Sequence, residues 1–297
     1  MKDIQKISID NNPIRMGFLH PGEMGSALAK VARRNGATTW WASEGRSIST
    51  ASRAAVAGIE DVGALKALCH HCEIIISICP PHAAIDMAKA VAASGFGGIY
   101  VDANAISPGA AMQIAEIVEQ SGAAYVDAAV VGAPPNGRHD TVIYFSGEAA
   151  HIVAKYFKAE AVSVELLGAS RSHASAVKIC HSAIHKGQLA MLLATLAAAE
   201  HYGVKAHLES LLARHPNTRS LTNEIPEIAR RATKGWRFAG EMLEVADTFA
   251  MAGLPPELHR GASEVFRRCP APGSVDQNKL STDNLIRMLL DHDIRSD

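Results

Sequence analysis

The sequence predicts an α/β fold, in which a doubly wound and mostly parallel sheet is followed by an all-α region. Short runs rich in isoleucine and valine alternate with alanine-rich helical stretches up to about residue 168. A proline-free helical stretch then covers residues 172–203, and only helical patterns follow it. Alternating strands and helices are typical of a parallel sheet that helices cover on both faces. We therefore expect two domains, residues 1–170 and 171–297, joined by one long helix.

The predicted strands and helices follow one another in a regular order. The strands are IRMGFL, ATTWWAS, EIIISIC, GGIYVDA and AAYVDAAVV, with TVIYFSG and VSVELLG as late strands at the far edge. The helices between them are GEMGSALAKVARRNG, SISTASRAAVAGI and SPGAAMQIAEIVEQSG. The strand EIIISIC contains almost no polar residue, as expected when both faces of a sheet are covered. In the second domain the segments RHPNTR, GLPPE and CPAPGS interrupt the helices.

The composition limits the classes of partner. The chain of 297 residues is 48% hydrophobic and 20% charged, with a net charge of −1 and no long run of like charges. Neither nucleic acid nor an anionic membrane is therefore expected as the main partner. The N-terminal stretch MKDIQKISIDNNPIR lacks the apolar segment of a signal peptide, and runs such as IIISIC are too short to span a bilayer. Five cysteines make no disulfide framework, so we expect a cytoplasmic protein.

Two histidine-containing motifs raise the question of a metal site. The motif CHHC at residues 69–72 has no second cysteine pair elsewhere in the chain, and four nearly consecutive residues can hardly surround one ion. We expect a turn between a helix and a strand there. His181 and His185 form an H-x-x-x-H pair, but no glutamate follows His181 and no third ligand is evident. No metal is predicted.

A glycine-rich turn joins the first strand to the first helix. It resembles the G-x-G-x-x-G fingerprint of the Rossmann-type dinucleotide-binding fold, although His20 stands where the first glycine belongs. Gly22 retains the position that lets backbone approach a pyrophosphate, and Gly25 the position that lets helix pack on strand. The histidine therefore modifies the predicted cofactor site without removing it. The predicted turn comprises His20, Pro21, Gly22, Glu23, Met24 and Gly25.

The end of the second strand indicates which dinucleotide binds. An acidic residue there usually holds the ribose hydroxyls of NAD, whereas an arginine accepts the 2′-phosphate of NADP. The sequence offers both, in Glu44 and Arg46. Arg46 together with Ser43 and Ser47 would form a three-donor phosphate site, with Arg53 nearby on the following helix. We therefore favour NADP and retain NAD as the alternative.

The long helix carries polar residues on one face. Lys178, His181, Ser182 and His185 follow at i, i+3, i+4 and i+7, with Lys186 at i+8, among alanine, isoleucine and leucine. A solvent-exposed face is the alternative interpretation of this stripe. A lysine beside a nicotinamide could take the hydroxyl proton as hydride leaves carbon, and return it in the reverse direction. Burial lowers the pKa of a lysine toward the working pH, which suits such a role.

These motifs resemble those of the 6-phosphogluconate dehydrogenase-like β-hydroxyacid dehydrogenase superfamily, in the same order along the chain. MGFLHPGEMG is similar to its cofactor turn, and YVDANAISP (100–108) to its nicotinamide-side loop. YVDAAVVGAPP (125–135) lies at its substrate-binding D-A-P-V-S-G-G stretch, and GASRSHASAVKICHS (168–182) resembles its G-x-x-G-x-x-x-K-x-x-x-N catalytic helix. The resemblance implies that Lys178 is the catalytic lysine. The segment from KGWRFAGEMLEVAD onward resembles a branch with a poorly characterised C-terminal domain.

The departures from the superfamily pattern concern the substrate more than the chemistry. His20-Pro21 replaces Gly-Leu, Val131-Gly132-Ala133 replaces Ser-Gly-Gly, and Ser182 replaces the asparagine four residues after the lysine. The serine that helps to hold a substrate carboxylate is therefore absent. The fold and the hydride chemistry carry over by resemblance, but a 3-hydroxy acid substrate does not follow.

We expect an NAD(P)-dependent oxidoreductase acting on a small hydroxy or oxo compound. An imine or ketimine reductase, which usually lacks the lysine, and a non-catalytic NADP-binding sensor are the alternatives. The superfamily commonly dimerises through its helical domain, which implies a homodimer. The predicted catalytic residue is Lys178, and the predicted substrate residues are Val131, Gly132, Ala133, His181, Ser182 and His185. Besides the glycine turn, the predicted cofactor residues are Ser43, Arg46, Ser47, Cys79, Pro80 and Asn104.

Overall fold

A computed structural model of the protein describes residues 12–135, 141–271, 274–276 and 280–291. Residues 1–11, in the N-terminal stretch MKDIQKISIDNNPIR, and two residues of the segment CPAPGS lie outside the described residues. The chain divides into two compact units, Met1–Ile179 and Cys180–Asp297. The division lies inside the long helix, a little later than the boundary that the sequence predicts.

The first unit contains one eight-stranded sheet. Its strands are β1 (Arg15–Phe18), β2 (Thr38–Trp41), β3 (Glu60–Asp61), β4 (Ile74–Ser77), β5 (Ile99–Asp102), β6 (Ala124–Val131), β7 (Thr141–Ser146) and β8 (Val162–Leu166). They lie in the order β3-β2-β1-β4-β5-β6-β7-β8, and all neighbours are parallel except β6 and β7. The predicted doubly wound, mostly parallel sheet is confirmed, with its two late strands at one edge.

Seven helices accompany the described strands of this sheet. They are α1 (Glu23–Arg34), α2 (Ile48–Ala57), α3 (Leu65–His71), α4 (Ala84–Ala93), α5 (Pro108–Gln120), α6 (Ala150–Ala154) and the long α7 (His173–His201). Ser47 and Ser107 begin α2 and α5 by accepting hydrogen bonds from Thr50 N and Ala110 N, as N-cap serines do. Gly58, with a φ of +69°, ends α2 in the left-handed conformation that glycine tolerates. The short β3 and the helices α4 and α6 were not predicted, and α3 was expected only as an unnamed helix before the turn at CHHC.

The sheet is buried on both faces, and β4 shows why its sequence does not alternate. Ile74 and Ile76 pack in one core with Leu28 of α1, while Ile75 packs in the other with Leu68 of α3. All three isoleucines are at most 1% exposed. Because successive side chains of a strand point to opposite faces, a strand covered on both sides must be apolar throughout.

The second unit is helical, and its described residues include no strand. Besides the end of α7 it contains α8 (Lys205–Arg214), α9 (Arg219–Thr222), α10 (Ile228–Ala232), α11 (Gly235–Met251), α12 (Glu257–Arg267) and α13 (Thr282–Asp291). Helices α11 and α12 pack closely: Ser263 Oγ donates to the carbonyl of Ala239 at 2.9 Å, and Phe238 meets Phe266 edge to face. The predicted all-α C-terminal region is confirmed. No helix in the described part of the chain is long and apolar enough to cross a membrane.

Candidate functional site

A row of buried polar residues crosses four neighbouring strands of the first unit. Ser77 of β4 lies in register with Asp102 of β5, Asp102 with Asp127 of β6, and Asp127 with Ser146 of β7. All four residues are 0% exposed. Ser77 and Asp102 are the last residues of their strands, at the carboxyl edge where open α/β sheets bind ligands. The row therefore lies beneath the part of the sheet where a cofactor is expected.

The predicted site residues include neither aspartate, although a signal for both was present in the sequence. The tetrapeptide YVDA occurs twice, at residues 100–103 and 125–128. In the structure the two copies lie side by side, with Tyr100 opposite Tyr125 and Asp102 opposite Asp127. A charged residue at equivalent positions of two buried strands indicates a polar site inside the sheet, because buried charges require partners.

Asn104 ties the loops after β4 and β5 together. Its side-chain Oδ1 accepts from Cys79 N at 2.6 Å, and its Nδ2 donates to Ser77 Oγ and Asp102 Oδ2 at 3.2 and 3.1 Å. Its backbone N–H donates to Asp102 Oδ1 at 2.9 Å. The structure thus brings the predicted cofactor residues Cys79 and Asn104 together, with Pro80 exposed beside them. The Asn104 amide is buried and bonded within the protein.

Asp127 and Ser146 bind the first turn of α7. Asp127 Oδ2 accepts from Ser175 N at 2.8 Å, and Oδ1 accepts from Ser175 Oγ at 2.6 Å. Ser146 Oγ accepts from Ala174 N at 3.1 Å and lies 3.3 Å from Asp127 Oδ2, to which it donates. Lys178, half-buried, follows Ser175 by three residues and so lies on the same face of the helix.

The two aspartates are shifted toward neutrality. Burial raises the pKa of Asp102 to about 7, and the nearby Asp127 adds to this, while hydrogen bonds from Asn104 and the charge of Lys178 act in the opposite direction. Burial likewise raises the pKa of Asp127 to about 6, against the hydrogen bonds from Ser175 and Ser146. Strongly shifted groups beside a lysine are typical of functional sites, although structural networks also produce them.

The two glycines of this turn, Gly22 and Gly25, differ in whether the fold itself requires glycine. A Cβ at Gly25 would lie 2.5 Å from the carbonyl oxygen of His20, so internal packing requires glycine there. Gly22, the N-cap of α1, has an ordinary φ of −71°, and a Cβ there would meet no described atom within 4 Å. No described side chain caps the first turn of α1, whose backbone N–H groups begin beside Gly22. Nothing in the described chain therefore requires glycine at position 22.

Three nitrogen atoms lie without a described hydrogen-bond partner around the same turn and the β2–α2 connection. They are His20 Nδ1, Arg46 Nε and Arg53 Nε, and all three are buried. Burial, together with the charge of Arg46, lowers the pKa of His20 to about 4. Unpaired buried polar atoms of this kind are costly, so the two arginine Nε groups, which can only donate, indicate a place for an acceptor.

The other predicted residues of the β2–α2 connection have partners of their own. Ser47 caps α2, and its hydroxyl also lies 3.0 Å from the hydroxyls of Ser49 and Thr50. Ser43 N donates to Asp61 Oδ1 at 3.2 Å. Asp61, in β3, was missed because that strand is only two residues long. Its carboxylate adds a second acidic group to this region, besides Glu44.

The predicted substrate stretch follows β6. Val131 is the last residue of that strand and pairs with Val142 of β7. Gly132 has a φ of +112°, a conformation that L side chains rarely adopt, and it is exposed together with Ala133. The carbonyl of Ala133 accepts from Thr141 Oγ1 at 2.7 Å. Among the described residues of this turn, 132–135, backbone groups are therefore presented rather than polar side chains.

The polar stripe of α7 separates into two groups within the second unit. Ser182 is buried and donates to Glu241 Oε1 of α11 at 2.5 Å, and Lys186 forms an ion pair with the same carboxylate. His181 and His185 are exposed, and their rings stack with centroids 5.6 Å apart. Glu241, which no sequence motif had indicated, thus holds the polar residues that face α11.

The cysteine motif forms the end of a helix rather than the predicted turn, because Cys69, His70 and His71 belong to α3. Cys69 lies in α3 and Cys72 directly follows it; both thiols are buried, and burial raises their pKa values to about 11 and about 12. Zinc binds the thiolate form, which such burial disfavours. Across the described residues, no three histidine, cysteine, aspartate or glutamate side chains are placed to hold a metal ion.

Comparison with known proteins gives two family matches. Residues 15–168, more than half of the chain, match the NAD-binding domain of 6-phosphogluconate dehydrogenase, and residues 199–269 match a domain of unknown function, DUF1932. A curated relative is the uncharacterised 28.5 kDa protein in the 7S RNA 5′ region of Methanothermus fervidus. It is 28% identical over 199 residues, which are 67% of this chain and 76% of the relative.

Solved structures show the same fold at lower identity. The 3-hydroxyisobutyrate dehydrogenase of Salmonella typhimurium is 18% identical, with a TM-score of 0.67 over 93% of this chain and 99% of its own. An imine reductase of Bacillus cereus is 20% identical, with a TM-score of 0.52 over 93% and 99%. At such identities the likeness concerns the fold, so the choice of reaction depends on the residues of this chain.

Proposed function

Because the chain belongs to the family of the NAD-binding domain of 6-phosphogluconate dehydrogenase, we propose that it is an NADP-dependent oxidoreductase. The bound cofactor would accept or supply hydride at a carbon of a small hydroxy or oxo compound. Lys178 would act as the general acid and base. The observation that supports this most is the polar row of Ser77, Asp102, Asp127 and Ser146, which runs beneath the carboxyl edge of the sheet and ends on the helix of Lys178.

The glycine turn fits a pyrophosphate. Gly22 has open space where a side chain would lie, and the first N–H groups of α1 have no described side-chain cap. A helix N-terminus with free N–H groups attracts phosphate through hydrogen bonds and through the helix dipole. Close approach of a ligand to the backbone explains a glycine that the fold itself does not need.

The choice of NADP over NAD rests on Arg46. Its Nε is buried without a described hydrogen-bond partner, and a 2′-phosphate would supply the missing acceptor. Glu44 and Asp61 act against this choice, because an acidic residue near the second strand suits the ribose hydroxyls of NAD. We favour the arginine because a bound phosphate satisfies donors that are otherwise buried without partners.

Lys178 would handle the proton of the reaction. During oxidation the substrate hydroxyl gives its proton to the neutral Nζ as hydride leaves the same carbon; during reduction the ammonium returns that proton to the carbonyl oxygen. A positioned acid or base of this kind accelerates reactions by about 10²–10⁴-fold. Lys178 is half-buried and lies near the Asp102 carboxyl, whose pKa it lowers. The charge of Lys178 in turn favours the ionised form of this carboxyl.

The substrate would be larger or less acidic than a short 3-hydroxy acid. Val131 offers no hydrogen bond, and Gly132 and Ala133 contribute backbone groups only. Recognition built on a hydrogen bond discriminates by up to about 10⁴, whereas apolar fit discriminates about 10–200-fold for each methylene. That His181, Ser182 and His185 contact the substrate stays a prediction, and the Ser182 hydroxyl would share any such contact with Glu241.

We also propose a homodimer that works in the cytoplasm. Several large apolar side chains of the second unit are exposed, among them Trp236, Met251, Leu254 and Leu258. Exposed apolar side chains of this number favour burial against a partner. The five cysteines are free thiols, as expected in a reducing compartment. Light scattering after gel filtration would measure the mass in solution, and a monomer at micromolar concentration would contradict the dimer.

The experiment has two stages. Fluorescence titration first measures the affinities for NADPH and NADH. Absorbance of the reduced cofactor then follows turnover with a panel of bulky ketones, short hydroxy acids and cyclic imines. We expect NADPH to bind more tightly and a ketone or its alcohol to be the best substrate. Preference for imines would favour an imine reductase, and tight NADPH binding without any turnover would favour a sensor.

A further inference from the structure

We propose that Asp127 is a positioning residue for Lys178, acting by fastening the first turn of α7 to the sheet. The proposal rests on the proposed function, because it assigns a catalytic purpose to the place of Lys178. Asp127 itself would touch neither substrate nor cofactor. Its carboxylate would fix where the lysine ammonium lies, by holding the backbone from which that side chain extends.

The contacts around Asp127 favour anchoring over simple packing. Both carboxylate oxygens accept from Ser175, one from its backbone N–H at 2.8 Å and the other from its hydroxyl at 2.6 Å. Ser146 adds a link of its own, since its hydroxyl donates to Asp127 at 3.3 Å and accepts from Ala174 N at 3.1 Å. Two consecutive N–H groups of the first helical turn are thus bound by two neighbouring strands.

The position of these contacts makes them effective for catalysis. The first N–H groups of a helix have no partner within the helix, and a negative group there is favoured by the helix dipole. Ser175 and Lys178 are three residues apart, so any movement of the first turn displaces the lysine by a similar amount. A misplacement of about 1 Å at a catalytic group can cost about 10²-fold in rate.

The attachment of α7 by Asp127 also explains why an acidic residue occupies a fully buried position of a strand. Asp127 lies directly opposite Asp102, and two adjacent buried carboxyls repel one another when both are ionised. An apolar residue at position 127 would avoid this cost and fit the neighbouring valines and alanines. A residue kept against such a cost has a specific task, and its hydrogen bonds all lead to α7 or to Ser146.

The test compares Asp127→Asn with Ser175→Ala, and uses Ser263→Ala as the control. Asparagine keeps the shape but replaces one accepting oxygen with a donor that faces the donors of Ser175. Ser263 is an equally buried serine with one hydrogen bond to a backbone carbonyl, in the second unit. For Asp127→Asn we expect kcat to fall about 10–100-fold, with KM and the NADPH dissociation constant changed by less than about threefold. Ser175→Ala should give a smaller fall of the same kind, and Ser263→Ala none.

Two further measurements separate positioning from general stability. Hydrogen exchange at the amides of Ala174 and Ser175 should be faster in Asp127→Asn, while exchange in β4 and β5 stays as in the wild type. In a Lys178→Ala background, adding Asp127→Asn should lower the residual rate by less than about twofold, since the residue that it positions is gone. An equal further fall in that background, or unchanged kcat in Asp127→Asn, would overturn the proposal.

These outcomes are distinct from a failure of the proposed function. If Lys178→Ala alone kept the full rate, the assignment of the general acid and base would be wrong. The exchange rates at Ala174 and Ser175 would then still report whether Asp127 fastens the helix. If Asp127→Asn does not fold, the same measurements on Ser175→Ala test the proposal.

Discussion

The buried carboxylates of the two units have different kinds of partner. In the first unit Asp102 and Asp127 accept hydrogen bonds from amide and hydroxyl groups, and burial raises their pKa values to about 7 and about 6. In the second unit Glu241 forms an ion pair with Lys186 and accepts from Ser182. Carboxyls held by neutral groups can change protonation near neutral pH, whereas an ion pair holds two elements together. A change at Asp127 should therefore alter function most, and a change at Glu241 should alter stability most.

The largest expected effect is loss of cofactor binding in Gly22→Val. The valine side chain would fill the space beside the free N–H groups of α1, and the pyrophosphate could not approach. The variant should fold normally, because its Cβ meets no described atom. Fluorescence titration and thermal unfolding would measure both properties. His20→Gly is the matched comparison, and it should retain NADPH affinity within about tenfold. Loss of NADPH binding in His20→Gly but not in Gly22→Val would show that the fingerprint is aligned wrongly on this turn.

A large effect on stability, with cofactor binding unchanged, is expected for Glu241→Ala. Removing one partner of a buried ion pair leaves the other charge uncompensated and costs about 3–5 kcal/mol in the free energy of unfolding. Lys186 and Glu241 are 14% and 11% exposed in their side chains, so the lower end of that range applies. Denaturant unfolding should detect the loss, while NADPH affinity at low temperature stays unchanged. Asp247→Ala, at an exposed position of the same helix, is the control and should change stability little.

A smaller effect on cofactor choice is expected for Arg46→Ala. A charge-assisted hydrogen bond to a phosphate is worth about 1.5–3 kcal/mol, so NADPH affinity should fall by about one to two orders of magnitude. NADH affinity, measured by the same fluorescence titration, should change little because NADH lacks the 2′-phosphate. If the wild type bound NADPH and NADH equally tightly, Glu44 would instead be assigned to the ribose hydroxyls of NAD.

A further expected effect is a pH dependence of stability that Asp102→Asn removes. Because the folded-state pKa of Asp102 is raised from its ordinary value of 3.8 to about 7, folding favours the protonated carboxyl. Its contribution is thus full below about pH 4 and is lost as the pH rises to about 7, at about 1.4 kcal/mol for each pKa unit. The melting temperature of the wild type minus that of the variant should shrink from about pH 5 to about pH 8. A difference that grows over this range would contradict the raised pKa.

Much of the fold followed from local patterns in the sequence. The isoleucine-rich strand at 73–79 and the glycine turn at 20–25 have strong signals, since burial on both faces and close backbone approach each demand particular residue types. The short β3 and α6 gave no such signal, because two strand residues and five helical residues are too few to show a period. The late strands at the edge were predicted from their β-branched residues and confirmed.

The partners of the polar residues could not be predicted in the same way. Ser175, Ser146 and Asp127 lie far apart in the sequence and meet only because β6, β7 and α7 adjoin. The stripe on α7 appeared as one face, yet Ser182 lies against Glu241, while His181 is exposed. Helical spacing indicates which residues share a face, but the neighbour that this face meets is a property of the tertiary structure.

The most direct measurement compares the wild type with Lys178→Ala and Lys178→Arg in NADPH affinity and turnover with the best substrate of the panel. We predict that both variants bind NADPH as tightly as the wild type and lose about 10²–10⁴-fold in rate. Arginine should not substitute, because a guanidinium does not give up its proton near neutral pH. Retention of the wild-type rate by either variant would contradict the central claim that Lys178 transfers the proton.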